Sequence, residues 1–197
     1  MSTLLRIDSS PLREREQSIS RTLTEQFARH WRGAVVYRDL AATAMPMIDA
    51  AWIAASYTPK RDRTPAQHAM LACSDELVAE LLAADDYVLG VPIHNWSTTA
   101  SLKLWADQIV QFGVTVAATP GGLRGLLVGK RLTAFVTAGR HLESNLVAPW
   151  LNQFFGQLGV DPIRIVVADG TADVKHRKID RGGFLAPHVA TIDSWFA

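Results

Sequence analysis

The chain has 197 residues, 48% hydrophobic and 20% charged, with a formal net charge of +1. That length suits one domain spanning residues 1–197 with a sizeable core, and the apolar content excludes a disordered chain. Lys+Arg number 20 against 19 Asp+Glu, and Arg13, Arg15 and Arg21 are interleaved with Glu14, Glu16 and Glu25, so no basic arm for nucleic acid is present. The one cysteine, Cys73, excludes an internal disulfide and reads as a small buried thiol. No apolar run approaches the ~18 residues of a transmembrane helix. Arg6 and Asp8 interrupt the first apolar stretch, which excludes a signal peptide, so a cytoplasmic location is expected.

Short apolar runs alternate with helical periodicity, the pattern of a parallel sheet covered on both faces. Thr3–Asp8 reads as the first strand. Ser18–Trp31 follows as a helix, with Ile19, Leu23, Phe27 and Trp31 on one face. Ala34–Arg38 reads as a second strand ending at Asp39. The region Ala41–Arg63 is largely irregular, with a short helix expected around Asp49–Ala55 and a role as lid or dimer contact open. Thr64-Pro65 places a hydroxyl cap and a first-turn proline at the start of a long helix. Its apolar stripe is expected to be Met70, Leu71, Leu77, Val78, Leu81 and Leu82.

Tyr87–Val91 reads as a third strand, and Thr99–Gln111 as a helix turning Leu102, Trp105 and Ile109 inward. Arg131–Thr137 is the fourth strand, Asn145–Leu158 a helix and Ile163–Ala168 the fifth strand. Beyond it, Gly182-Gly183 is expected to weaken or break any long helix. These elements give an α/β, doubly wound, five-stranded parallel sheet of flavodoxin-like type, with strand order 2-1-3-4-5.

In such a sheet, ligands bind beyond the carboxyl ends of the strands, which selects three loops. Ser9–Ser18 brings Ser9, Ser10, Gln17 and Ser18 to a helix N-terminus, where free amides favour a phosphate. Ser18 equally suits a plain helix cap, and spacing alone leaves both readings open. Pro92-Ile93-His94-Asn95-Trp96 offers an aromatic face and polar edge to a flat heteroaromatic ring, or else a surface loop with Trp96 packed inward. Ala138-Gly139-Arg140-His141 sets potential cations beside a flexible glycine, either for a flavin's pyrimidine edge or as solvated charges. There is no Gly-x-x-x-x-Gly-Lys-Ser/Thr loop, Gly-x-Gly-x-x-Gly fingerprint, Gly-x-Ser-x-Gly elbow or His-Glu-x-x-His helix. The pair Asp85-Asp86 falls at a helix-to-strand turn away from these loops.

Several motifs together resemble the FMN-dependent NADH:azoreductases and quinone reductases of the flavodoxin-like superfamily. They are Ser9-Ser10, Gln17-Ser18-Ile19-Ser20-Arg21-Thr22-Leu23, Pro92-Ile93-His94-Asn95-Trp96, Leu102-Lys103 with Asp107, Phe112-Gly113-Val114-Thr115, and the stretch from Leu146 to Gly159. The resemblance implies that Ser10, Glu16, Gln17 and Ser18 hold the FMN phosphate. It implies that Pro92, Ile93, His94, Asn95 and Trp96 line the ring, with Ala138, Gly139 and Arg140 at its edge. It also implies a homodimer and no dedicated catalytic acid or base, with two electrons passing from NADH or NADPH through FMN to a quinone or azo acceptor. The family usually has Met-Tyr-Asn-Phe where Ile93-His94-Asn95-Trp96 stands here, and Ser-x-Gly-Gly where this chain has the shorter Ala138-Gly139-Arg140. Those departures leave a second expectation, a flavin-binding module with little turnover.

Overall fold

The computed structural model describes residues 2–12, 14 and 17–197. Among them are strands β1 (Thr3–Asp8), β2 (Ala34–Asp39), β3 (Asp86–Pro92), β4 (Val116–Thr119), β5 (Gly122–Gly125), β6 (Arg131–Thr137) and β7 (Ile163–Ala168). The helices are α1 (Ile19–Arg29), α2 (Ala50–Tyr57), α3 (Pro65–Ala83), α4 (Ala100–Gln108), α5 (Val147–Gln157), α6 (Thr171–Lys175) and α7 (Arg181–Ser194).

Five strands form one parallel sheet in the order β2-β1-β3-β6-β7. The sheet and its five members match expectation, but the numbering does not. An antiparallel β4–β5 hairpin intervenes, so the order is 2-1-3-6-7 and not 2-1-3-4-5. Each central strand is apolar on both sides because each face is covered. Leu4, Val88 and Phe135 turn to one face and meet Leu23 and Phe27 of α1 and Leu185 and Ile192 of α7. Leu5, Ile7, Leu89, Val91 and Val136 turn to the other, against Leu77 and Leu81 of α3, Trp105 of α4 and Phe155 of α5. Each such side chain, taken from water, stabilises the fold by roughly 1.5–3 kcal/mol.

Local chemistry sets the helix starts. Ser18 caps α1, Asp49 caps α2, and Thr99 caps α4. Thr64 and Gln67 close a reciprocal capping box ahead of the first-turn proline of α3. The stripe of α3 is narrower than expected, since Met70 and Leu82 are exposed while Leu71, Leu77, Val78 and Leu81 are buried. Cys73 is half-buried.

The expected break at Gly182-Gly183 does not occur, because α7 runs through both glycines and Pro187. The glycines lie in the first turn, where amides lack intrahelical partners, and Asp180 accepts the Gly183 amide at 2.9 Å. Their intrinsic cost of about 1 kcal/mol each is outweighed by burying Leu185 and Ile192.

Candidate functional site

Because β1, β3 and β6 are neighbours, the loops that follow them lie side by side at one edge of the sheet. Backbone bonds carry the ladder past the strand ends: Ser9 donates to the Gly90 carbonyl at 3.2 Å and Ile93 to that of Thr137 at 2.7 Å. Ala138 likewise donates to Ala168 at 3.3 Å. Ser10, Gln17, Ser18, Pro92–Trp96 and Ala138–Arg140 are thereby assembled on one side. Glu16 lies outside the described residues.

The first loop ends in a cap. The Ser18 hydroxyl accepts from the Arg21 amide at 3.4 Å and lies 3.2 Å from the Ser20 hydroxyl. Ser9 is committed to the sheet, its hydroxyl donating to the Gly90 carbonyl at 2.8 Å. Ser10 differs: its hydroxyl accepts from the Leu12 amide at 3.3 Å, and among the described residues no acceptor meets its proton. Ser10 and Ser18 are both buried beside the α1 N-terminus, whose first turn holds no acidic residue. Hydroxyl donors, free amides and the positive end of a helix together attract an anion.

The second loop folds back on itself at once. His94 and Ser97 exchange backbone hydrogen bonds of 2.9 and 3.0 Å around Asn95 and Trp96. Both turn residues have positive φ, 48° at Asn95 and 66° at Trp96. Asn tolerates that region, but a bulky aromatic residue there is an outlier. The Trp96 ring is not packed inward; the residue is 84% exposed.

In the third loop Ala138 is buried, while Gly139 and Arg140 are exposed. Asp169, just past β7, accepts from His141 Nδ1 at 2.9 Å and from the Leu142 amide at 2.8 Å. The Leu142 amide, ahead of His141, holds the Asp169 carboxyl below its ordinary value. Gly170 permits this arrangement, since a Cβ there would stand 2.6 Å from the His141 ring. A cavity of about 530 Å³, lined by Tyr57, Arg63, Asp75, Leu82, Phe112 and Ala118 among others, includes no residue of the three loops.

A family model described as flavodoxin-like fold matches residues 2–183. FMN-dependent NADH:quinone oxidoreductase 3 of Burkholderia lata is 50% identical, with all of both chains covered. The chain belongs to the family of FMN-dependent NADH:quinone oxidoreductases. A second such relative, from Acidobacterium capsulatum, is 43% identical over 95% of each chain. Among solved structures, an azoreductase from Bacillus anthracis superposes with a TM-score of 0.87 at 20% identity, covering 100% of this chain and 99% of its own. An FMN-dependent NADH-azoreductase from the same species, in complex with FMN, gives 0.84 at 22% identity, with 100% and 98% covered. At those identities the structural likeness speaks for the fold.

Sequence reasoning missed the buried charges beneath the first loop of this NADH:quinone oxidoreductase family member. Asp8 pairs with Arg6 at 2.8 Å and accepts the Thr24 hydroxyl at 2.7 Å. Burial pushes its carboxyl above the ordinary value, opposed by Arg6, Thr24 and Arg21. Arg21 bonds Asp39 at 2.7 Å and the Tyr37 hydroxyl at 2.6 Å. In the sequence these are ordinary strand-end and helix charges; the available signal was their position at the carboxyl ends of two adjacent strands. The pair Asp85-Asp86 is structural, with Asp86 bonding Arg131 at 2.7 and 2.8 Å at the far end of β3.

Proposed function

We propose that this chain is a single-domain oxidoreductase that binds FMN at the three loops and transfers two electrons from NADH to a quinone or azo compound. The names of the two curated relatives supply the cofactor and the donor, and identity over the whole chain supports carrying them across. What supports the phosphate end is the donor set: the unspent Ser10 proton, the Ser18 hydroxyl and the α1 N-terminus. Glu16 and Gln17 complete that assignment. What supports the ring end is the strained Asn95-Trp96 turn with its exposed indole, flanked by Pro92, Ile93 and His94. Ala138, Gly139 and Arg140 take the remaining edge. The Trp96 observation carries the reading, because an exposed aromatic on left-handed backbone has no folding rationale of its own.

The residues of the three loops would hold FMN, which would supply two-electron redox chemistry at its ring. The chain's own residues bind, orient and shield. Ser10 and Ser18 fix one end, and the second loop presents an apolar face. Arg140, which has no ion-pair partner among the described residues, offers positive charge at the third loop. His141, held through Nδ1 by Asp169, keeps Nε2 free to hold a proton there. No helix among the described residues is long and apolar enough to cross a membrane. The reading includes a cytoplasmic homodimer working on small molecules.

The test is to incubate the chain with excess FMN, desalt it, record the visible spectrum and then add NADH without oxygen. Retained flavin bands that bleach rapidly are the expected result. Retained bands that bleach sluggishly would favour a flavin-binding module, and a colourless protein would overturn the assignment.

A further inference from the structure

Arg21 is an anomaly of the fold. It sits in the first turn of α1, where a cation opposes the helix dipole, yet it is only 3% exposed. A charge is kept in such a place when it is paired and when its geometry is used. Here the planar guanidinium reaches three acceptors on two segments: the Ser10 carbonyl at 2.6 Å in the first loop, and the Asp39 carboxylate at 2.7 Å and the Tyr37 hydroxyl at 2.6 Å at the end of β2. Its Nε–H is buried with no acceptor among the described residues, so the fork is not arranged to satisfy itself fully.

The Ser10 contact matters most. Pro11 restricts Ser10 to extended backbone, and the bond from Arg21 to the Ser10 carbonyl fixes the peptide plane between them. With that plane set, the Ser10 side chain is held towards the Leu12 amide and its proton left free. The backbone amide of the same Arg21 donates to the Ser18 hydroxyl. One residue therefore grips both serines, one through its side chain and the other through its main chain, and anchors them to the end of β2.

We infer that Arg21 is a positioning residue for the phosphate end of the cofactor, acting through Ser10 and Ser18 and braced by Asp39 and Tyr37. The inference rests on the phosphate assignment proposed above. It predicts that Arg21 sets the preference of the chain for FMN over riboflavin, which differ by the phosphate alone.

The experiment titrates FMN and riboflavin separately into the flavin-free intact chain, following flavin fluorescence, for the wild type, Arg21→Lys and Tyr37→Phe. Lysine keeps the charge but cannot span three acceptors with a planar fork. Arg21→Lys should lower the FMN-to-riboflavin affinity ratio about tenfold while riboflavin affinity stays put. Tyr37→Phe removes one brace at a half-exposed position and should lower the ratio about threefold. Should Arg21→Lys fail to fold, Tyr37→Phe decides alone, and an unchanged ratio there overturns the inference. An unchanged ratio in a folded Arg21→Lys, or an equal loss of both affinities, would reduce Arg21 to a structural ion-pair partner and also overturn it. A wild type with no preference for FMN would instead overturn the phosphate assignment itself, and the inference with it.

Discussion

Trp96 occupies a backbone conformation that suits glycine, at φ 66°, and leaves most of its ring in water. Neither choice helps the chain fold, since the conformation costs on the order of 1–3 kcal/mol and the exposed ring recovers little. Replacing Trp96 by Gly should therefore stabilise the flavin-free chain, by about 1 kcal/mol in urea denaturation, while weakening FMN binding several-fold. A variant that binds FMN as well as the wild type would show that the indole is not part of the ring site. Gly90 makes the opposite case. A Cβ there would lie 2.6 Å from Asp8 Oδ1, and that carboxylate is fixed by Thr24 and Arg6. Gly90→Ala should cost about 2–4 kcal/mol, because the clash falls on a buried ion pair and not on a flexible tip. A loss below about 0.5 kcal/mol, within the range of ordinary surface changes, would mean that the Asp8 cluster shifts freely.

The elements that could be read from the sequence are those whose signals are local. Thr64-Pro65 announces α3, and the bounds of Arg131–Thr137 and Ile163–Ala168 are found as expected because each is a short, largely apolar run with clear ends. The β4–β5 hairpin escaped because Val116-Ala117-Ala118-Thr119 and Gly122-Leu123-Arg124-Gly125 are four-residue segments diluted by alanine and glycine, paired with each other outside the main sheet. The loops of the site were legible because topology alone places them. Their support was not: Arg21, Tyr37 and Asp39 meet through the tertiary fold. Helix α7, hidden by its glycines, also carries a titrating group on its partly buried face. His188 sits half-buried beside Phe184, and burial holds its imidazole below the ordinary value of 6.5 despite the opposing charge of Asp169. A depressed folded-state value means that the unfolded chain takes up the proton first as pH falls below 6.5. Stability contributed by neutral His188 is thus fully present above that pH and is lost as pH drops through the folded-state value. Urea midpoints at pH 7.5 and 5.5 should fall less in His188→Gln than in the wild type; equal falls would assign the loss to other groups.

At the scale of the whole molecule, the edge proposed to take the cofactor is the least self-sufficient part of the fold. The sheet and its two apolar faces are complete in themselves, whereas the three loops hold a hydroxyl proton with no acceptor among the described residues, a strained turn and an exposed indole. A ligand that engages those groups only when they are assembled binds the native chain and not the unfolded one, so it must raise the unfolding temperature by mass action. At a free FMN concentration about 100 times its dissociation constant, the gain is about 2.7 kcal/mol. For a chain of 197 residues each kcal/mol corresponds to roughly 2–4 °C, which gives a rise of about 5–10 °C. Riboflavin at the same concentration should give a smaller rise, since it brings no phosphate to Ser10, Ser18 and the α1 N-terminus. Thermal melts monitored by circular dichroism with FMN, with riboflavin and without ligand decide the matter. Equal shifts would place the binding energy in the ring loops alone, and no shift with FMN would mean that the native edge does not take the cofactor.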